Sequence, residues 1–101
     1  VVGSAACGGN DKTGRTLLRI WQENGWLENA IVVNKVGASG TIGTIEVANA
    51  AKDGHTIGML PVGPMTTQPN LRTLPYGPDS FDYVCLVYSN PQLLLVRADA
   101  P

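Results

Sequence analysis

Apolar and polar positions alternate along the chain at two periods, and the switches between them lay out the expected elements. Val1 and Val2 read as the end of a strand that runs into a glycine turn. Over residues 12–24, Leu17, Leu18, Ile20 and Trp21 recur at helical spacing, with Arg15, Arg19, Gln22 and Glu23 on the other side. That is the pattern of an amphipathic helix. Asn24-Gly25 stops it, since both residues tolerate the left-handed closing conformation. Residues 30–36, "AIVVNKV", predict a short β-branched strand. "GASGTIGT" is a second glycine turn, followed by a helix to about Ala51 with a narrow apolar stripe of Ile42, Ile45, Ala48 and Ala51. Lys52-Asp53-Gly54 ends that helix, with Gly54 in the C′ role.

Residues 55–62, "HTIGMLPV", are nearly all apolar after the first two, as in a parallel strand buried on both faces. Pro61, Pro64 and Pro69 mark a loop with at most a short helix, and "LPYGPDSF" (74–81) is a turn cluster. "YVCLVYS" (83–89) and "QLLLVRA" (92–98) are two further strand-like runs split by Asn90-Pro91. The order β-α-β-α-β predicts an α/β fold with a mostly parallel sheet and right-handed crossovers. In such a sheet both helices start at the carboxyl ends of strands. Both glycine turns then face one edge, where ligands bind.

Length and charge narrow the function classes. The 101 residues make one domain, 1–101, with a small core. Seven basic against eight acidic residues give a net charge of -1 without runs, which argues against a nucleic-acid surface. No apolar run approaches the ~18 residues of a bilayer span. No signal-peptide pattern is visible, and the first residue is Val1 rather than methionine. Cys7, Cys85 and His55 do not assemble a zinc site without carboxylates. The two cysteines read as small semi-buried residues, and a disulfide between them needs their Cα atoms brought close by the fold.

The stretch from Gly9 to Thr16 reads G-x-x-x-x-G-R-T, one residue from the phosphate-cradling loop. A nucleotide site of that kind needs a lysine point charge, which Arg15 does not replace. It also needs a strand ending in aspartate for the metal, and none of the predicted strands does so. The P-loop-like NTPase reading is therefore the weaker one. The same glycines serve an anion with less chemistry. Gly8, Gly9 and Asn10 leave N–H groups at the start of the first helix, and Ser39, Gly40 and Thr41 do so at the second. Each helix start carries about half a positive charge, so two of them aimed at one crevice make a carboxylate receptor. Asp11 fits as an N-cap or first-turn acid and Thr41 as a second cap; the plain alternative is that both turns merely close helices.

"CGGND" before an amphipathic helix, then "VVNKVGASGTIGTIEVANAAKDGHTIGM", then "PNLRTLPYGPDSFDYVCLV", resembles the Bug-type (TctC-like) substrate-binding proteins of tripartite tricarboxylate transporters. The resemblance runs through essentially the whole chain, in order and with near-constant spacing. It implies part of one lobe of a two-lobed, type II periplasmic binding protein that closes on a ligand without catalysis, cofactor or metal. It further implies a periplasmic location, membrane transporter subunits as partners, and a small carboxylate held by main-chain N–H groups and bridging waters. Carried over by position, the ligand-binding residues are Ser4, Cys7, Gly8, Gly9, Asn10 and Asp11 in the first turn, and Ala38, Ser39, Gly40 and Thr41 in the second.

The departures from the family pattern are specific. Gly3-Ser4 stands where the family has Pro-Phe, so an aromatic ring is lost, and Cys7 stands where a glycine or similar small residue is usual. His55 replaces a tyrosine and reads as a strand-entry residue, not a base. Gly77 replaces an aspartate at a turn position. The chain spans roughly a third of such a protein, the front of lobe one. A cut sheet exposes an unpaired edge, which predicts a homo-oligomer, most simply a dimer, joined through "VCLVYSNPQLLLV". Two function classes follow: a solute-binding module or its remnant, and a stand-alone homo-oligomeric interaction domain without ligand binding.

Overall fold

A computed structural model describes residues 1–91 and 93–99. The first amphipathic stretch forms α1, Gly9–Glu23. Its end follows the expected chemistry: Asn24 N–H and Nδ2 both donate to Ile20 O, and Gly25 takes φ 70°. The second helix, α2, spans Thr41–Asn49 and is preceded by a 3-10 turn, Ala38–Gly40. It stops at Ala50, which is extended, so Gly54 is not its C′ residue. Gly54 instead takes φ 79° in the following turn, where the Asp53 carboxylate accepts the His55 N–H at 2.9 Å.

The proline-rich stretch departs further from expectation. Val62–Leu71 is a ten-residue helix, α3, rather than a loop. Pro64 lies in the first turn, where an N–H has no helical partner in any case. Pro69 sits close to the C-terminal end and removes one bond only. Tyr76 is buried below α3, donates its hydroxyl to Pro64 O at 2.8 Å and meets the Phe81 ring edge-on at 5.8 Å. These contacts fix the turn cluster against the helix.

The mostly parallel sheet is not formed. The chain is 41% helical, with only 3% in bridge pairing, so the α/β assignment from the β-α-β-α-β order is overturned. What remains is a pair of isolated parallel bridges from Val2, one to Asn34 and one to Met59. Their bonds are Val2 N–H to Val33 O, Lys35 N–H to Val2 O and Met59 N–H to Val1 O, at 2.8–2.9 Å. A ladder needs successive bridges, but the central run offers Val2 alone before Gly3 turns away. Residues 83–89 and 93–97 pair with no strand among the described residues. Their β-branched and aromatic composition favours a pleated surface but cannot make one without a partner edge. Gln92, the first residue of the last predicted strand, lies outside the described residues.

Packing radiates from two adjacent residues. Successive side chains of an extended run point to opposite faces. On one face Val2 meets α1 at Gly14, where an added Cβ would lie 3.4 Å from Val2 Cγ2 and 3.3 Å from Met59 Sδ. On the other, Gly3 meets α2 at Gly43, where a Cβ would come within 2.7 Å of Gly3 Cα and 3.1 Å of Lys35 O. The buried face of α2 is accordingly Thr41, Gly43 and Thr44. The predicted stripe instead leaves Ile42 exposed, because small residues allow the closer approach.

Val2, Pro64 and Tyr76 are the buried apolar side chains among the described residues, while Val84 is 86% and Leu94 96% exposed. The accessible surface of 7592 Å² exceeds the about 5,500 Å² expected of a closed monomer of this mass. Since the atoms opposing a Cβ at Gly43 are backbone, Gly43→Ala is expected to destabilise the chain by about 1–3 kcal/mol. Urea unfolding followed by tryptophan fluorescence measures this, and an unchanged midpoint would remove the close approach of α2 as a packing constraint.

Candidate functional site

The first turn is organised around Asp11. This residue is the third of α1, reaches back to accept the Cys7 N–H at 2.8 Å, and is 1% exposed. Arg15 Nε donates to both carboxylate oxygens at 3.0 Å and Asn34 Nδ2 to one at 2.8 Å. Asn34 Nδ2 also donates to Ser4 O at 3.1 Å, and Arg15 donates to Asn34 Oδ1 at the same distance. One carboxylate therefore ties together turn, helix and the 31–36 run. Arg15 foremost, then Asn34 and the Cys7 amide, hold the Asp11 pKa down from 3.8 to about 2, against the opposing effect of burial.

With Asp11 turned back, the helix start is left open. Gly8 is the N-cap and, being glycine, offers no capping side chain. The first helical bond is Lys12 N–H to Gly8 O at 2.9 Å, and the Gly8 N–H, expected to be free, donates instead to Ala5 O at 3.1 Å. The N–H groups of Gly9, Asn10 and Asp11 have no partner among the described residues. Cys7 takes φ 66° to bring the chain into this start. Ser4 Oγ is buried without a partner among the described residues, 3.8 Å from where a Cβ on Gly8 would sit.

The second turn winds in the left-handed sense, with φ of 133°, 46°, 56° and 91° from Gly37 to Gly40. Gly40 N–H donates to Gly37 O and Thr41 N–H to Ala38 O, so two of the three amides expected free here are bonded within the turn. Ser39 N–H has no partner among the described residues. Thr41 is the first residue of α2 rather than its cap; Gly40 is the cap. Thr41 is 3% exposed, and its hydroxyl has no partner. The three non-glycine residues with positive φ, Cys7, Ala38 and Ser39, all fall in the two glycine turns. Such backbone strain collects at ligand sites.

The turns meet where Gly3 touches Gly40. A Cβ on Gly3 would lie 3.3 Å from Gly40 O, and one on Gly40 would lie 3.3 Å from Gly3 O and 2.8 Å from Pro64 Cγ. Because the bridges are parallel, the runs ending near Val2, Asn34 and Met59 leave in one direction. Turn one, turn two and the start of α3 thus lie on one side. Asn34 stood in the sequence within the family-like stretch and at the end of an apolar run but was given no role, and Tyr88, whose hydroxyl donates to Asn10 Oδ1, was read only as part of a strand-like run.

Other features lie elsewhere. A groove of about 480 Å³ runs along α2 between Val1, Ile42, Ile45, Ala50 and Thr56 and includes none of the candidate residues. Gly9 to Thr16 is helical throughout and Arg15 is paired with Asp11, so the G-x-x-x-x-G-R-T match forms no phosphate loop. Cys7 and Cys85 are exposed free thiols, not the semi-buried residues expected. No helix is long and apolar enough to cross a membrane, and no group of metal-ligating side chains occurs among the described residues.

The profile of the tripartite tricarboxylate transporter family receptors (TctC) matches residues 24–101. The chain belongs to the TctC family. TctC receptors are solute-binding proteins rather than enzymes, work with transporter subunits and are periplasmic. No curated protein and no solved structure matches the chain significantly. The matched region contains the second turn, while the first, residues 4–11, precedes it.

In this TctC chain the Asp11 network predicts an acid sensitivity with a defined sign. A carboxylate whose pKa is depressed on folding stabilises the native state above its unfolded value and ceases to do so as pH falls through the folded one. That window runs from 3.8 down to about 2. Tm is expected to fall across it, and Asp11→Asn is expected to lower Tm at pH 7 while flattening this acid limb. Thermal melts from pH 2 to 7 decide it; an acid limb of equal depth in Asp11→Asn would place the titration elsewhere.

Proposed function

We propose that this chain is a solute-binding module of a periplasmic tripartite tricarboxylate transport system that captures a small carboxylate with residues 4–11 and 37–41. The observation carrying the reading is the row of unpaired N–H groups of Gly9, Asn10 and Asp11 at the open start of α1. Amides aimed out of a helix start, reinforced by the macrodipole, hold an anion without a lysine or arginine. Ser39 N–H adds a donor from the second turn. Cys7, Ala38 and Ser39 set the backbone directions, and Gly8 and Gly40 keep the two helix starts free of side chains.

Exposure of the terminal run supports a second reading, an interaction domain that pairs with another copy. Val84, Leu86, Leu93, Leu94, Leu95 and Val96 are each more than three-quarters exposed. Size-exclusion chromatography with light scattering is expected to give a dimer at micromolar concentration, and a clean monomer removes this reading.

Position nine offers a direct test of the carboxylate reading. Gly9 is the first helical residue, it follows an extended Gly8, and a Cβ there meets nothing within 4 Å. Proline suits that position and lacks the N–H. In calorimetric titrations against dicarboxylates and aromatic acids, Gly9→Pro is expected to weaken binding about tenfold or more, the loss of one hydrogen bond to a charged group. Gly9→Ala should bind as wild type. Absence of binding across the whole panel would falsify the carboxylate reading.

A further inference from the structure

One face of α2 has nothing packed on it. Ile42, Ile45, Glu46 and Asn49 recur at three- and four-residue spacing and so line one side of the helix. They form one wall of the groove of about 480 Å³, with Val1 and Thr56 opposite. Ile42 is 47% exposed there, although an apolar stripe on a helix ordinarily meets a partner. A second apolar set is equally bare: Leu93, Leu94, Leu95 and Val96, followed by Arg97. The accessible surface exceeds that of a closed monomer by about 2,000 Å². Two chains together carry about 4,000 Å² of such excess, within the roughly 2,000–5,000 Å² that obligate homodimers bury.

The two sets agree in spacing and in charge. Laid out as an extended strand, Leu95 and Arg97 point to the same side about 6.6 Å apart. Ile42 and Glu46 lie about 6 Å apart along the α2 axis. Leu95 over Ile42 therefore sets Arg97 over Glu46. The Glu46 carboxylate is half exposed, with Lys35 Nζ at 3.2 Å from Oε1 and no partner of Oε2 among the described residues. Arg97 is 82% exposed and pairs with its neighbour Asp99, an exposed pair of a kind that contributes little and is readily exchanged. The run of the same chain leaves from the other side, since Tyr88 bonds to Asn10 of α1 while α2 packs on the opposite face of the Val2–Gly3 run.

We propose that residues 93–97 of one copy dock in the α2 groove of a second copy, reciprocally, closing a two-fold dimer. The proposal rests on the reading of the terminal run as a pairing surface and names the surface that receives it. Reciprocal exchange covers both grooves and both runs, so no free end is left to propagate a fibre.

Sedimentation equilibrium of the 101-residue chain gives the dimer dissociation constant. Glu46→Arg and Arg97→Glu are each expected to weaken the dimer at least about tenfold, because each sets like charges together at both symmetric contacts. The double variant restores opposite charges and should dimerise as wild type. Circular dichroism checks that each variant is folded. In a Cys7→Ser, Cys85→Ser background, a chain carrying Ile42→Cys and Leu95→Cys should form a covalent dimer with oxidised glutathione on a non-reducing gel. A wild-type monomer at micromolar concentration overturns the pairing reading and the docking with it. A dimer that tolerates both charge reversals, or a double variant that does not recover, overturns the docking alone. So does a cysteine pair that links only within one chain, which would assign the groove to that chain's own run.

Discussion

Two adjacent residues set the spacing of everything else. Val2 turns its side chain to α1 and Gly3 presents bare backbone to α2, and each helix answers with a glycine, Gly14 or Gly43. At Gly43 the opposing backbone excludes even one methyl group, and at Gly14 the side chains of Val2 and Met59 leave little room for one. They fix where both helices begin relative to the parallel bridges. The helix starts inherit their arrangement from this packing, and the proposed carboxylate site would take its donors from the helix starts. The core itself is small: Val2, Pro64 and Tyr76 are its buried apolar side chains among the described residues. Close backbone approach, more than apolar burial, therefore determines the geometry here.

Asp11 adds a second constraint, and its pairing shows how an acidic residue can sit inside the turn proposed to receive an anion. An unpaired carboxylate there would repel an incoming acid. Arg15 neutralises it, and the bonds from Asn34 and the Cys7 amide turn its oxygens away from the helix start. The side chain that looks like a ligand residue in the motif thus serves to hold Cys7 in its strained conformation, and Cys7 in turn leads the chain to Gly8. The arginine that looks like a phosphate-binding substitute is the counter-ion of this device. Both roles are local and survive the loss of the sheet.

Much of this was legible in the residues. The period of Leu17, Leu18 and Trp21 gave α1, and Asn24-Gly25 gave its end. The two glycine turns were evident from Gly8-Gly9 and "GASG", and so were their helix-opening positions. The sheet was misjudged because β-branched composition at 83–89 and 93–97 measures fitness for a strand, not the presence of an edge to pair with. α3 was missed because Pro64 and Pro69 count as breakers in a sequence, whereas first-turn placement makes the first harmless and proximity to the end limits the second. The α2 stripe was misassigned because apolarity was taken to mark the buried face, when Gly43 and Thr44 pack closer than Ile42 can. Two amides of the second turn, on Gly40 and Thr41, were expected free and are bonded. A left-handed 3-10 turn closes its own bonds, and nothing short of coordinates reveals that three successive residues adopt it.

The asymmetry between the two turns bears on how a ligand would be held. With a net charge of -1 and Arg15 already paired with Asp11, neither the overall charge nor that guanidinium draws an acid to the first turn. Attraction has to be short-ranged, from amides that point outward at α1. The second turn, with most of its amides closed, then acts less as a donor than as a wall. Its left-handed path brings Gly40 against Gly3 and stations Thr41 at the seam. In the proposed site, an open donor row beside a self-bonded turn would divide the labour between charge and shape. That division follows from one physical difference: α1 begins directly after an extended glycine, and α2 begins after a turn that satisfies itself.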